Sequence, residues 1–359
     1  MTLLYATGFD LYTTYADASA QDGWAITQTG NNAGPPTQTI QTTNGRFGGG
    51  CLAGNNASNN GSILSKRTMG TLGTGGIHTF LGAAILMPVG SGGTNPVGLF
   101  DGASNQIGID VLSDGTIAVI RGAVNIGQTA AGVFTLGTYH YLELDVVIGS
   151  GTSGSVTVRL DAHTVLTLSA TNTQATANAS WSVLMLASAA NSFDLRIDDV
   201  YVCDSNGSVN NTFLGDVSIK ALFPNTNGAN SGFTRTGGSA SGNYTAVNEK
   251  PNDGDTSYVA STTPSTIDTY KYPTLPLTVS AVNAVQARAV ARKDDAGIRH
   301  ITARYRHTDN TEADFSATDG NLTSTYTSVV QIQELNPRTG VAWTTGDLSG
   351  GEFGPRISL

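Results

Sequence analysis

Cysteine, basic charge and long apolar runs are all scarce in this chain. Its only two cysteines, Cys51 and Cys203, form neither a disulfide framework nor a zinc-ligand spacing, so buried thiols are expected. Lys and Arg number 18 against 27 Asp and Glu, a formal net charge of -9. Neutralising phosphates needs clustered cations, so nucleic-acid binding is excluded. No apolar run approaches the roughly 18 residues of a membrane span, and no membrane insertion is expected. The opening MTLLYATGFD has no basic start and no small-residue cleavage site, so synthesis without an export signal is the expectation. The five histidines have no metal-ligand spacing, and no Walker loop, nucleophile elbow or dinucleotide fingerprint is present.

What is abundant is glycine, 44 residues of it, between short runs rich in Val, Ile, Thr and Tyr. Such runs read as strands at 78–87, 105–113, 116–122, 138–149, 155–161, 163–170 and 182–188, separated by turn signals. The pattern predicts an all-β protein of two β-sandwich (jelly-roll) domains in tandem, at 1–204 and 217–359 with a polar link over 205–216. In the second domain strands are expected at 217–225, 269–277, 298–307 and 326–335, with 226–256 a long surface segment. The Ala/Val alternation of 281–291 is readable as strand or helix, with strand preferred.

A strand at the start (LLYATGF, 3–9) and another at 192–202 (SFDLRIDDVYV) bracket the first domain. This resembles the concanavalin A-like jelly roll of lectins, laminin-G modules and glucanases, a likeness that implies adjacent first and last strands. The phrases RIDDVYVCDSNGSVNNTFLGDVSIKALFPN, NEKPNDGDTSYV, ARKDDAGIR and NPRTGVAWT, in that order over 195–359, resemble a recurrent module of tailed-phage virion proteins. The resemblance implies a structural component of the virion, assembled in the bacterial cytoplasm. A peripheral tail position, fibre or tip, is the first expectation; a capsid-decorating or head-fibre protein is the alternative. Both imply other virion proteins as partners and a homo-oligomer, a trimer by preference, with a host-surface glycan as a candidate ligand.

Glucanases of this fold carry Glu-x-Asp-x-(x)-Glu on one strand. In YLELDVVIG, Glu143 and Asp145 match the first two positions, but Val147 or Ile148 stands at the third. Without the second member of the carboxylate pair a retaining hydrolase of this type has no general acid, so the expectation is that the chain is not an enzyme; a carbohydrate-active hydrolase of the concanavalin A-like class is the last alternative and requires a second acid from a loop. Alternation places both acids opposite the core side formed by Leu142, Leu144, Val146 and Ile148, hence facing solvent.

In RIDDVYV, strict alternation sends Asp198 and Asp199 to opposite faces, so they cannot chelate one ion together. Asp204-x-Asn206-x-Ser208 is read as turn chemistry around Asn206-Gly207. Asn252, Asp253 and Asp255 around Gly254 form the one candidate calcium loop, read against an ordinary acidic turn. Sugar binding would use Trp24, Tyr139, Tyr141 and Trp181 as platforms, with Glu143, Asp145 and the amides of 53–62 reading hydroxyls. Each ring is read first as sandwich core, since such cores also need large rings.

Charge is unevenly spread. Residues 1–215 hold six Lys/Arg against thirteen Asp/Glu (6 − 13 = −7), and 216–359 hold twelve against fourteen (12 − 14 = −2). Arg288, Arg292, Lys293, Arg299, Arg304 and Arg306 cluster in 287–307, as either a solvated strand face or an assembly surface for an acidic partner.

Overall fold

Alternation decides which side of each strand becomes core, and Leu142, Leu144, Val146 and Ile148 all lie in one buried cluster. A computed structural model of the protein describes residues 2–29, 37–55, 62–90, 94–190, 195–239, 241–275, 278–315 and 320–358. The chain is almost entirely antiparallel β-sheet and divides into two compact units, Thr2–Lys220 and Ala221–Leu359.

In the first unit one sheet runs, edge to edge, His163–Thr171, Gly154–Leu160, Tyr139–Val147, Thr79–Leu86, Leu195–Asp204, Cys51–Asn55 and Thr37–Gln41. Leu3–Thr7 also pairs with Leu195–Asp204, so the first and last strands are neighbours as expected. The second sheet runs Val124–Gln128, Ile117–Arg121, Ser104–Val111, Thr94–Asp101, Trp181–Ala190, Ser62–Leu72 and Trp24–Thr29. Val97, Leu99, Ile107, Ile109, Leu184 and Leu186 of this sheet share the core cluster with the first sheet's inward residues. This is the jelly-roll sandwich. The hairpin at Asp161-Ala162 turns with both residues at positive φ (48° and 66°), which matches the right-handed strand twist.

The second unit centres on a sheet ordered Thr226–Ser231, Asp268–Lys271, Glu352–Ile357, His300–Arg306 and Glu312–Asp314. Val285–Ala291 pairs with Thr327–Gln333, so 281–291 contributes a strand rather than a helix. Its core is small and aromatic: Tyr305, Phe315 and Trp343 are buried, and Phe353 packs on them.

One element was not anticipated and two expectations fail. Tyr15–Asp22 is a helix, started by a capping box in which Thr14 and Asp17 satisfy each other's backbone N–H groups and ended by Gly23 at φ 72°. The strand expected at 217–225 is absent, while Thr226–Ser231 and Thr234–Thr236, expected as loop, are strands. Residues 205–220 are not a link: they fold with the first unit, and the division follows Lys220.

Candidate functional site

The strand Tyr139–Val147 points Tyr141, Glu143 and Asp145 away from the core, as alternation requires. They do not all meet solvent. Glu143 is 0% exposed, because the segment 205–220 lies across this outer face. Its Oε1 accepts the Tyr201 hydroxyl (2.6 Å) and the Gly215 N–H (2.8 Å), and its Oε2 lies 3.5 Å from Arg159 Nη1. The expected solvent-facing acid is therefore a buried fastener. Burial and the adjacent Glu143 push the Tyr201 hydroxyl far up, so it remains a donor, and it also accepts the Leu214 N–H at 3.1 Å.

The covering segment, a strap in form, makes no ladder of its own. Its backbone is satisfied by side chains instead: Leu214 by Tyr201, Gly215 by Glu143 and Ile219 by Asp199 Oδ1 at 2.6 Å. Phe213 wedges between the Phe80 ring (5.4 Å, edge-on) and the Arg159 guanidinium (4.8 Å). Arg46 binds Asp216 and the carbonyl of Val217. Gly8 is needed beneath it, since a Cβ there would stand 2.2 Å from the Ile219 carbonyl oxygen.

Asp198 and Asp199 mark a change of neighbour. Leu195–Ile197 pair with Leu52–Gly54, whereas Val200–Cys203 pair with the Leu3–Thr7 strand. Between them a bulge adds a residue, with Asp199 at φ 50°. The bulge resets the parity: Ile197, Val200 and Val202 all enter the core, and both aspartates are left outside it. The opposite-face expectation is thus corrected. Asp198 accepts the Arg46 N–H (2.8 Å) and Asp199 the Ile219 N–H, so the pair fills the gap in the ladder with carboxylate acceptors. Burial raises the pKa of both, and for Asp198 the facing charge of Asp199 raises it further.

That shift has a sign. A carboxyl raised in the folded state binds protons that the unfolded chain has released, so its folded form gains stability as pH falls through the raised pKa. Burial raises Asp110 and Asp145 in the same sense, while hydrogen bonds lower Asp114 and hold Asp17 down against its partial burial. The first unit should then be more resistant to urea at pH 5.5 than at pH 8, by up to about 1.4 kcal/mol per pH unit for each proton taken up. Asp199→Asn, which keeps the acceptor for Ile219, should flatten the slope. Stability falling steadily from pH 8 to 5.5 would contradict the assignment.

The remaining candidates do not assemble into a binding surface. Trp24 (1% exposed) and Trp181 (0%) are core, their indole N–H groups donating to the Tyr5 hydroxyl and to Thr79 Oγ1. Tyr141 is buried as well and donates to the Asp199 carbonyl at 2.9 Å. None of these three rings is a sugar platform, because no face of them reaches solvent. Tyr139 is half-buried and donates to the Asn44 carbonyl; Asp145 holds His78 Nδ1 at 2.7 Å. Residues 56–61 of the amide loop lie outside the described residues.

In the second unit, Asp253 accepts the Ser257 N–H and hydroxyl, and Asp255 accepts from Arg292 and the Tyr326 hydroxyl. Asp253 and Asp255 thus both accept from protein donors within the turn that holds Asn252; no group of three metal-ligating acids, histidines or cysteines occurs among the described residues. The basic cluster is likewise committed: Arg292 to Asp255, Arg299 to Asp295, Arg304 to Glu312 and Asp314, Arg306 to Glu312 and Glu352, and Lys293 to the Gly297 carbonyl. Arg288 lies on the Val285–Ala291 strand and also has a partner. An assembly surface for an acidic partner loses its driving charge once these pairs form. Residue-type counts could not reveal pairing between strands distant in sequence.

No protein-family model and no curated protein matches the sequence. Solved structures do match in fold. An endo-β-1,4-glucuronan lyase from Trichoderma reesei is 13% identical, over 52% of this chain and 96% of its own, with a TM-score of 0.38. An alginate lyase is 12% identical over 55% and 95%, TM-score 0.38, and the globular domain of T. cruzi calreticulin 8% identical over 56% and 88%, TM-score 0.39. The likeness is one of fold. The expectation that the chain is not an enzyme does not stand. Two of the matching structures are polysaccharide lyases, and the acid missing at 147–148 speaks only to glucanase-type hydrolysis. That exclusion is withdrawn.

Proposed function

We propose that the chain is a structural component of a tailed-phage particle, placed at the periphery of the tail, where its jelly-roll unit faces outward toward the host's surface glycans. The observation that carries this reading is where the phage-like phrases fall. In the first of them, Asp199, Tyr201, Phe213 and Gly215 are the residues that hold 205–220 against the sandwich. In the others, Asp255 meets Arg292, Asp295 meets Arg299, and Trp343 fills the small aromatic core. The phrases that resemble the virion module are thus the fasteners of the fold, which is what a common architecture would retain.

The test is direct. Purified particles of the phage encoding the chain should contain it in fixed stoichiometry by quantitative mass spectrometry, and gold-labelled antibody should decorate the tail. Label on the head would move it to the capsid; absence from banded particles would overturn the reading.

A further inference from the structure

We infer that the second unit carries a ligand site of its own, a cavity around Lys271 that takes a small polyhydroxylated anion of the sugar-acid type. The cavity, about 460 Å³, is lined by Asn225, Thr226, Lys271, Tyr272, Thr308, Ser349, Gly350 and Gly351. That volume is within the range of about 300–1,000 Å³ usual for small-molecule sites. Its walls come from three places in the fold. The Asn225 N–H donates to the Lys271 carbonyl (3.0 Å), joining the entry of the Thr226–Ser231 strand to the end of Asp268–Lys271. Thr308 follows the His300–Arg306 strand, and Ser349–Gly351 end the short helix Thr345–Ser349 and lead to the last strand.

Charge singles out this cavity. The arginines and lysines of the second unit are otherwise engaged, as the pairs above and those of Arg235, Arg338 and Arg356 illustrate. Lys271 is exposed at the end of its strand and has no carboxylate or carbonyl partner among the described residues. Among the described residues it is the only charged side chain lining the cavity. Lys271 is exposed and hydrated, and beside the cavity its ammonium is free to exchange water for one negatively charged group of a ligand.

The other walls specify what carries that charge. The hydroxyls of Thr226 and Thr308 and the amide of Asn225 can each donate and accept. The Ser349 hydroxyl proton is spent on the Thr345 carbonyl (2.9 Å), which leaves its oxygen as an acceptor. The Tyr272 ring adds one apolar wall, fixed edge-on to Phe353 at 6.0 Å. Gly350 and Gly351 keep their part of the wall bare, where a Cβ would come within 2.4 Å of Thr308 Cγ2 or 2.3 Å of the Asp347 carbonyl. A single cation, several two-way hydroxyls and one ring face together suit a pyranose bearing a carboxylate better than a simple anion or a neutral sugar.

The experiment titrates the full-length, 15N-labelled protein with sodium glucuronate, with glucose and with sodium acetate. Glucuronate should shift the amides of Asn225, Thr226, Thr308, Gly350 and Gly351 saturably in the millimolar range, and glucose and acetate should each bind about tenfold more weakly or worse. Lys271→Gln, at an exposed position and so expected to fold normally, should weaken glucuronate about tenfold, whereas Lys220→Gln should change nothing. Thr308→Val should weaken glucuronate and leave acetate unaffected. Absence of a saturable shift, or glucuronate binding indifferent to Lys271→Gln, overturns the proposal. Equal affinity for acetate and glucuronate would overturn the sugar-acid assignment.

Discussion

Replacing Glu143 by alanine lowers the stability of the first unit by about 3–5 kcal/mol, the cost usual for removing one partner of a buried charged network. The loss is large because three groups depend on the carboxylate. The Tyr201 hydroxyl and the Gly215 N–H lose their acceptor, and Arg159 loses the anion 3.5 Å from its guanidinium. Tyr201 cannot swing aside to find another partner, because its ring packs where a Cβ on residue 82 would stand, 2.1 Å from Cε1. Glu143→Gln keeps one acceptor and the side-chain shape, so its cost should be nearer 1–2 kcal/mol. Urea melts followed by tryptophan fluorescence report the difference, since Trp24 and Trp181 are both buried in this unit. Limited proteolysis should cut wild type poorly within 205–220 and the alanine variant readily.

Trp181→Ala should cost a similar amount, about 3–5 kcal/mol, for a different reason. The indole is fully buried in the core between the two sheets, and its N–H donates to Thr79 Oγ1 at 2.9 Å. Truncation leaves a cavity that rigid strands close poorly and strands the threonine hydroxyl. Thermal melts of the variant measure the loss. A stability within 1 kcal/mol of wild type, roughly what exposed substitutions show, would mean that the ring reaches solvent after all.

The parts of this fold that follow from local pattern were legible in the sequence. Alternation named the core side of Tyr139–Val147, and the turn at Asp161-Ala162 lies where the two strand runs meet. The helix Tyr15–Asp22 was legible too, through Thr14, Asp17 and Gly23, but its few apolar residues gave no helical stripe to draw attention to it. What covers a sheet face was not legible. Alternation says that Glu143 points outward; it cannot say that Leu214 and Gly215 return to cover it from some 70 residues further on. One extra residue at Asp198-Asp199 was enough to invalidate a parity argument that was sound for an unbroken strand. The cations of 287–307 looked like a patch partly because several of their carboxylate partners, such as Asp255 and Glu352, come from other segments.

The central structural claim is that 205–220 is sealed to the sandwich by side chains rather than by strand pairing. Amide hydrogen exchange on the wild-type chain measures it at the decisive atoms. The Leu214, Gly215 and Ile219 amides, donating to Tyr201, Glu143 and Asp199, should exchange as slowly as the amides of the neighbouring strands, and Glu143→Ala should release Leu214 and Gly215 together. Fast exchange of all three in the wild-type protein would contradict the account.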